Sequence, residues 1–238
     1  MFVRLKAWVE SLVEWEKELF LTLNGSNSHY LDSVMYFISD KWPWIVFMIL
    51  LLLMTTYRQK RHEAILFILF CALLVTFSDM ISSGIIKQLF QRARPTHHIV
   101  TRDIVSTVLD YRGGGYGFVS GHATNFLAFV TFSSLVLRNR KYTIIAFIVG
   151  LTVAYSRVYL GVHFITDIVG GIILGIIIGS IVYYGYYQSR MVFLDMPKSK
   201  ALKCYLQPDS RRKDIAILLT ATYVAIWLLA PLFIQFYH

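Results

Sequence analysis

The run from Phe164 to Tyr187, FITDIVGGIILGIIIGSIVYYGYY, decides how the rest of the chain is read. A membrane-crossing helix needs about 20 mostly apolar residues, and this run supplies them with a single charged residue, Asp167, near its start. Working outward, five more apolar runs follow the same pattern: Trp42–Tyr57, Ala64–Ile86, His122–Leu137, Tyr142–Tyr159 and Ile215–Tyr237. The expected fold is an all-α integral membrane protein with six transmembrane helices, built as one domain over residues 1–238. Composition agrees. The chain is 56% apolar and only 16% charged, where a soluble domain carries about 25% charged residues.

The formal charge of +9 invites a nucleic-acid reading, which the placement of the cations disfavours. Thirteen of the 23 Lys and Arg residues sit in short loops on one side of the spans: Arg58, Lys60, Arg61, Arg138, Arg140, Lys141, Arg190, Lys198, Lys200, Lys203, Arg211, Arg212 and Lys213. Cations collect on the cytoplasmic side of membrane proteins. Both termini and the segment from Lys87 to Gly121 then face outward, which in a bacterial inner membrane is the periplasm. Cys71 lies in an apolar run and Cys204 in a basic loop, so two free thiols are expected. The first twenty residues lack an uninterrupted apolar stretch and contain Glu10, Glu14, Glu16 and Glu18, unlike a cleavable signal peptide.

This N-terminal stretch has amphipathic spacing. Phe2, Leu5, Val9, Leu12, Val13 and Phe20 share one face, opposite Arg4, Lys6, Glu10, Glu14 and Lys17. With Trp8 and Trp15 it suits the membrane interface, and a helix packed on the bundle fits equally well. Glu16 interrupts the apolar face.

Three segments place unusual polar residues on the outward side. The first is KQLFQRARP, in which Lys87 and Arg94 end the second span; alone, these could be interfacial anchors. In the second, FVSGH, Ser120 is a candidate N-cap and Gly121 permits close backbone approach, leaving a helix N-terminus suited to phosphate. The third holds Arg157, His163 and Asp167. His163 and Asp167 are four apart and share a helix face. A carboxylate there can accept the Nδ1–H and leave Nε2 basic, the arrangement of a nucleophile with an orienting acid. A structural His–Asp pair is the plainer alternative, less comfortable in a membrane segment. Lys87, Arg94 and Arg157 together would repel one another unless an anion lay between them, and a phosphate resolves that conflict.

These residues resemble the type 2 phosphatidic acid phosphatases, relatives of the vanadium haloperoxidases. The family pattern is Lys-x6-Arg-Pro, Pro-Ser-Gly-His and Ser-Arg-x5-His-x3-Asp. Here it reads Lys87-x6-Arg94-Pro95, Ser120-Gly121-His122 and Ser156-Arg157-x5-His163-x3-Asp167, with Val119 in place of the usual proline. The stretch from Tyr116 to Asn125 is similar to small bacterial envelope members. The resemblance implies that His163 attacks phosphorus to form a phosphohistidine, that Asp167 orients it, and that His122 protonates the leaving oxygen. It further implies that Lys87, Arg94, Ser120, Gly121 and Arg157 bind the phosphoryl oxygens. No metal and no cofactor are expected.

The implied substrate is an amphiphilic lipid phosphate: lipid A or undecaprenyl diphosphate first, then phosphatidylglycerophosphate. A non-enzymatic anion or lipid transporter using the same basic cluster is the main alternative, disfavoured because neither internal repeats nor interrupted mid-membrane helices are evident. A vanadate-dependent oxidase is disfavoured by the six spans. The segment Thr96–Phe118 carries His97, His98 and a glycine-rich stretch, Gly113-Gly114-Gly115-Tyr116-Gly117, and is the expected determinant of substrate choice. The adjacent histidines lack metal-ligand spacing. Asp79, two turns before Lys87, is expected to bond Ser82, Ser83 or a neighbouring span, with a role in holding Lys87 as one option. The sequence leaves the oligomeric state open.

Overall fold

A computed structural model describes residues 2–26, 28–208 and 210–233. In chain order its helices are α1 (Phe2–Leu23), α2 (His29–Ser39), α3 (Trp42–Thr56), α4 (Arg61–Asp79), α5 (Lys87–Phe90), α6 (Gly121–Leu137), α7 (Arg140–Tyr159), α8 (Ile165–Phe193), α9 (Lys198–Ala201) and α10 (Arg211–Phe233). A π-helical segment, Met80–Ile86, joins α4 to α5. Local chemistry sets several boundaries. Ser28, Ser120 and Asn139 cap α2, α6 and α7 by accepting the N–H of Leu31, Ala123 and Tyr142, which satisfies donors that the first helical turn leaves unpaired. Pro43 opens α3, where its missing N–H is harmless.

Four helical stretches are long and apolar enough to cross a membrane: Arg61–Phe90, Arg140–Tyr159, Ile165–Phe193 and Arg211–Leu232. The pair α2 and α3, bent by 48°, passes the same test when taken together. The protein is therefore an all-helical, multi-pass membrane protein with four to five spans by length and composition. Two of the six expected runs differ. Trp42–Tyr57 is only the second half of a bent element that begins at His29. His122–Leu137 is a 17-residue helix, shorter than a lone span. It needs little lipid-facing length because α4, α7 and α8 surround it, burying Leu127, Ala128, Phe132 and Leu137 completely. The last expected run, Ile215–Tyr237, is helical as far as Phe233, and residues 234–237 lie outside the described residues.

The tightest helix pair is α6 against α8. A Cβ on Gly175 would sit 2.6 Å from the Thr124 carbonyl oxygen, and one on Gly179 would sit 2.5 Å from that of Ala128. Glycine thus lets the backbones touch. Such approach is how helices associate in lipid, where packing rather than water expulsion drives the contact. Outward-facing residues form an apolar belt, among them Ile65, Ile68 and Leu69 on α4, Ile144 and Ile148 on α7, and Ile173, Ile177 and Ile181 on α8. At the end of the bundle away from Asp167, Arg190 grips Glu63 through Nε and Nη2 at 2.9 and 2.8 Å and also donates to the carbonyls of Ala201 and Lys203. Neither Cys71 nor Cys204 forms a disulfide.

Helix α1 lies against α5, α7 and α8. Val9, Val13 and Phe20 are buried, whereas Trp8, Trp15 and Leu19 are exposed. The side chain of Phe2, expected on the apolar face, lies outside the described residues. Glu16, which broke the pattern, is only 1% exposed and points inward with the apolar residues.

Candidate active site

The three polar segments meet at one end of the bundle, tied by backbone hydrogen bonds. The Ser120 N–H donates to the Asp167 carbonyl at 3.0 Å, and the Gly117 N–H donates to that of Arg92 at 2.8 Å. The capped N-terminus of α6 is thereby seated against the first turn of α8. Gly117 lets this stretch of chain pass close to the acid, since a Cβ would lie 2.9 Å from Asp167 Oδ2 and would displace it.

His163 sits in the tight connection between α7 and α8, 1% exposed. Its Nδ1 is 3.3 Å from Asp167 Oδ2, and its Nε2 is 3.4 Å from Arg94 Nη1. Asp167 Oδ2 also accepts the Phe164 N–H at 3.0 Å. With the proton on Nδ1, the Nε2 lone pair faces the cations. Burial, followed by the charges of Arg94, Arg157 and Lys87, holds this imidazole well below the ordinary histidine value, so it is neutral at pH 7.

The cations surround that lone pair. Arg94 is buried and donates to the Val162 carbonyl at 3.2 Å. Burial and the neighbouring Arg157 push its guanidinium down from the ordinary value, the electrostatic strain of gathering like charges. Arg157 is held by Ser39 of α2 and by Tyr111, whose hydroxyl is 3.1 Å away. The Nε–H groups of Arg94 and Arg157 are buried without a partner, donors of the kind an anion would satisfy. Lys87 Nζ lies 3.7 Å from where a Gly121 Cβ would stand. His122, in the first turn of α6, feels the charges of Arg157, Lys87 and Arg94 and lies near His163. All eight residues singled out in the sequence, Lys87, Arg94, Ser120, Gly121, His122, Arg157, His163 and Asp167, therefore lie in one neighbourhood.

Two openings reach it. A cleft of about 400 Å³ runs from His122 along Trp44, Ile45, Met48 and Ile49 of α3, Val75 of α4, and Phe126 and Phe129 of α6. Its lining is mostly apolar, with polar groups from Ser39, Asp40, Lys41, His122 and Asn125. A second opening of about 520 Å³, lined by Gln91, Ala93, Arg94, His97, Gly115 and Tyr116, reaches Arg94 from the loop side.

Several residues escaped the sequence reading. Arg92, completely buried, bridges Asp167 Oδ1 at 2.7 Å and Glu16 Oε1 at 2.5 Å. Ser39 and Tyr111 orient Arg157. Asp79 does not bond Ser82, whose hydroxyl donates to the Ser78 carbonyl at 2.6 Å. Asp79 is exposed, and its charge acts on Lys87. His97 and His98 do not act together. His98 is buried, 3.3 Å from Glu10 and edge-on to Phe164, whereas His97 pairs with the Thr96 hydroxyl. Among the described residues no group of three or more His, Cys, Asp or Glu side chains is placed to hold a metal ion.

A multi-pass helical bundle that brings a histidine–aspartate pair close to three cations is built in a way that suits phosphoryl transfer in a membrane. The chain belongs to the PAP2 superfamily, whose profile matches residues 65–191, and it is accordingly a phosphatase, a hydrolase of phosphoric esters. It is 44% identical over 186 residues to a lipid A 4′-phosphatase of Porphyromonas gingivalis, covering 78% of this chain and 79% of that one. It is 31% identical over 164 residues to a lipid A 4′-phosphatase of Bacteroides thetaiotaomicron, covering 68% and 72%. Among solved structures it resembles a transmembrane PAP2-type phosphatidylglycerolphosphate phosphatase from Bacillus subtilis, with TM-score 0.60, 21% identity, and coverage of 81% of this chain and 94% of that one. It also resembles Aquifex aeolicus LpxE, with TM-score 0.54, 24% identity, and coverage of 71% and 95%.

Proposed function

We propose that the protein removes a phosphate from a lipid phosphomonoester through a phosphohistidine on His163, with the 4′-phosphate of lipid A as the leading substrate. The observation that carries this reading is the His163 lone pair aimed into a cluster of three cations while Nδ1 is held by Asp167. In the first step Nε2 attacks phosphorus, the P–O bond to the lipid breaks, and His122, which carries a proton once the bound phosphate dianion offsets the neighbouring cations, gives that proton to the departing oxygen. Lys87, Arg94, Arg157 and the N–H groups of Gly121 and His122 at the start of α6 stabilise the equatorial oxygens, the main demand of phosphoryl transfer. In the second step water attacks the phosphohistidine, His122 takes its proton, and inorganic phosphate leaves.

The two openings support this assignment of ends. The apolar cleft adjoins His122, the acid that must face the leaving group, so the lipid portion lies there among α3, α4 and α6. The loop-side opening at Arg94 gives water its entry and phosphate its exit. Lipid A is favoured over a diphosphate or phosphatidylglycerophosphate by the names of the two curated relatives. Counting the bent α2–α3 pair and α6 as one passage each gives six, and on that count the cations gathered in the loops at the other end support a site facing the periplasm of a bacterial inner membrane.

Phosphate release from purified lipid A, undecaprenyl diphosphate, phosphatidylglycerophosphate and phosphatidic acid, with and without EDTA, tests the reading. Release from lipid A in EDTA, inhibition by vanadate and no turnover by His163→Gln are expected. Turnover that requires an added divalent metal, or an active His163→Gln, would overturn the mechanism.

A further inference from the structure

We propose that Glu16 of the N-terminal helix is a positioning residue for the His163–Asp167 pair and acts through Arg92, so that α1 is part of the catalytic apparatus. The proposal rests on the phosphohistidine reading of His163. Four observations carry it. First, Arg92 is wholly buried and divides its guanidinium between two carboxylates: Nη1 donates to Asp167 Oδ1 at 2.7 Å, and Nη2 donates to Glu16 Oε1 at 2.5 Å. Second, Glu16 also holds the residue preceding Asp167. Its Oε2 accepts the Thr166 N–H at 2.7 Å, and its Oε1 accepts the Thr166 hydroxyl at 2.7 Å. Third, the Arg92 guanidinium lies over the Phe164 ring, 4.7 Å from its centroid, and Nη1 also donates to the Thr166 hydroxyl at 2.7 Å. Fourth, Glu16 lies outside residues 65–191, the part that matches the PAP2 profile, yet it is as buried as the pair it serves.

A buried carboxylate is tolerated only when it is paired and fully hydrogen-bonded, and Glu16 is. The arrangement has a chemical consequence. Asp167 must present Oδ2 to His163 and remain ionised while the imidazole gains positive charge. Arg92 keeps Asp167 ionised, but an Arg92 facing Asp167 alone would swing to grip both oxygens and draw the carboxylate from His163. Glu16 occupies the other half of the guanidinium and prevents that. Burial alone would lower the Arg92 value; the Asp167 and Glu16 carboxylates outweigh it and raise it, which keeps the bridge charged throughout. The other charged groups around His163 are Arg94, Arg157 and Lys87.

The test measures kcat, KM and melting temperature for the full-length protein with lipid A bearing a 4′-phosphate in detergent micelles. Glu16→Gln keeps the shape and removes the charge. It should lower kcat about thirty- to a hundredfold, the loss produced by a misplacement near 1 Å, and leave KM within about threefold. In an Arg92→Met background, Glu16→Gln should lower kcat by less than about a further twofold, because the two act as one unit. If Arg92→Met does not fold, Arg92→Gln takes its place, since it too removes the charge that links the two carboxylates. A folded Glu16→Gln with kcat within about twofold of the parent, or losses that multiply in the double variant, overturns the proposal. His163→Gln separates the two levels. If it is inactive while Glu16→Gln is normal, only the role of Glu16 falls; if it is active, the phosphohistidine reading falls and the proposal with it.

Discussion

Replacing Asp167 by asparagine is the sharpest perturbation of the proposed chemistry, because it changes one atom and almost no volume. Asp167 Oδ1 accepts from Arg92 at 2.7 Å, while Oδ2 accepts from Phe164 N–H at 3.0 Å and faces His163 Nδ1 at 3.3 Å. A carboxamide has one oxygen for these three donors. If the oxygen stays on Arg92, the new NH₂ confronts the Phe164 N–H and the His163 Nδ1–H. The imidazole escapes by moving its proton to Nε2, which places a donor against Arg94 and removes the lone pair that would attack phosphorus. Losing one charge-assisted hydrogen bond in a buried site costs about 3 kcal/mol, or about a hundredfold at 1.36 kcal/mol per decade. Tautomer inversion adds to this. In a serine protease triad the same substitution drops kcat by about 10⁴, and a loss between those two figures is expected. KM should change less than about threefold, because the proposed contacts to the phosphate oxygens come from Lys87, Arg94 and Arg157 rather than from Asp167. Initial rates of phosphate release from lipid A, measured on protein with a normal melting profile, decide the matter. A folded Asp167→Asn enzyme retaining more than about a tenth of the parental kcat would refute the orienting role.

His163 should be neutral, and therefore nucleophilic, well below the ordinary histidine value of about 6.5. Protonation at low pH destroys the nucleophile, so the acidic limb of kcat/KM should lie below that value, and Arg94→Gln should move it upward in a pH–rate profile. Gly179→Val places a side chain where a Cβ already meets the Ala128 carbonyl oxygen at 2.5 Å. Overpacking of this kind costs about 1–3 kcal/mol, to be read as a lower melting temperature in detergent. Arg190→Met strands the buried carboxylate of Glu63 and should destabilise by about 3 kcal/mol, while kcat of the folded fraction stays at the parental level because the pair lies at the opposite end of the bundle.

Much of the site was legible because its chemistry is local. His163 and Asp167 are one helical turn apart, and Ser120 caps the helix that begins beside it; such relations depend on spacing alone. Arg92 was hidden inside the Lys87–Arg94 segment, where its burial and its two carboxylate partners follow only from how that segment folds over α8 and α1. Glu16 left one trace, a charge on the apolar face of α1, and nothing in a single sequence says which cation answers it. Ser39 sits in α2, a segment excluded from the expected spans, and it reaches Arg157 because the α2–α3 pair bends over the site.

The amino-acid order alone determined that the chain lives in lipid, that its helices would carry cations and histidines to one side, and that those groups suit phosphate. Solvation and helical periodicity act residue by residue, and a single sequence records them. Only the tertiary structure decided that α6 could be short, which helix buries Glu16, how Arg92 is shared between two carboxylates, and where the apolar cleft meets His122. Those are relations between segments as many as 150 residues apart, as Glu16 and Thr166 are. They are set by packing and charge pairing in three dimensions, for which linear spacing carries no code.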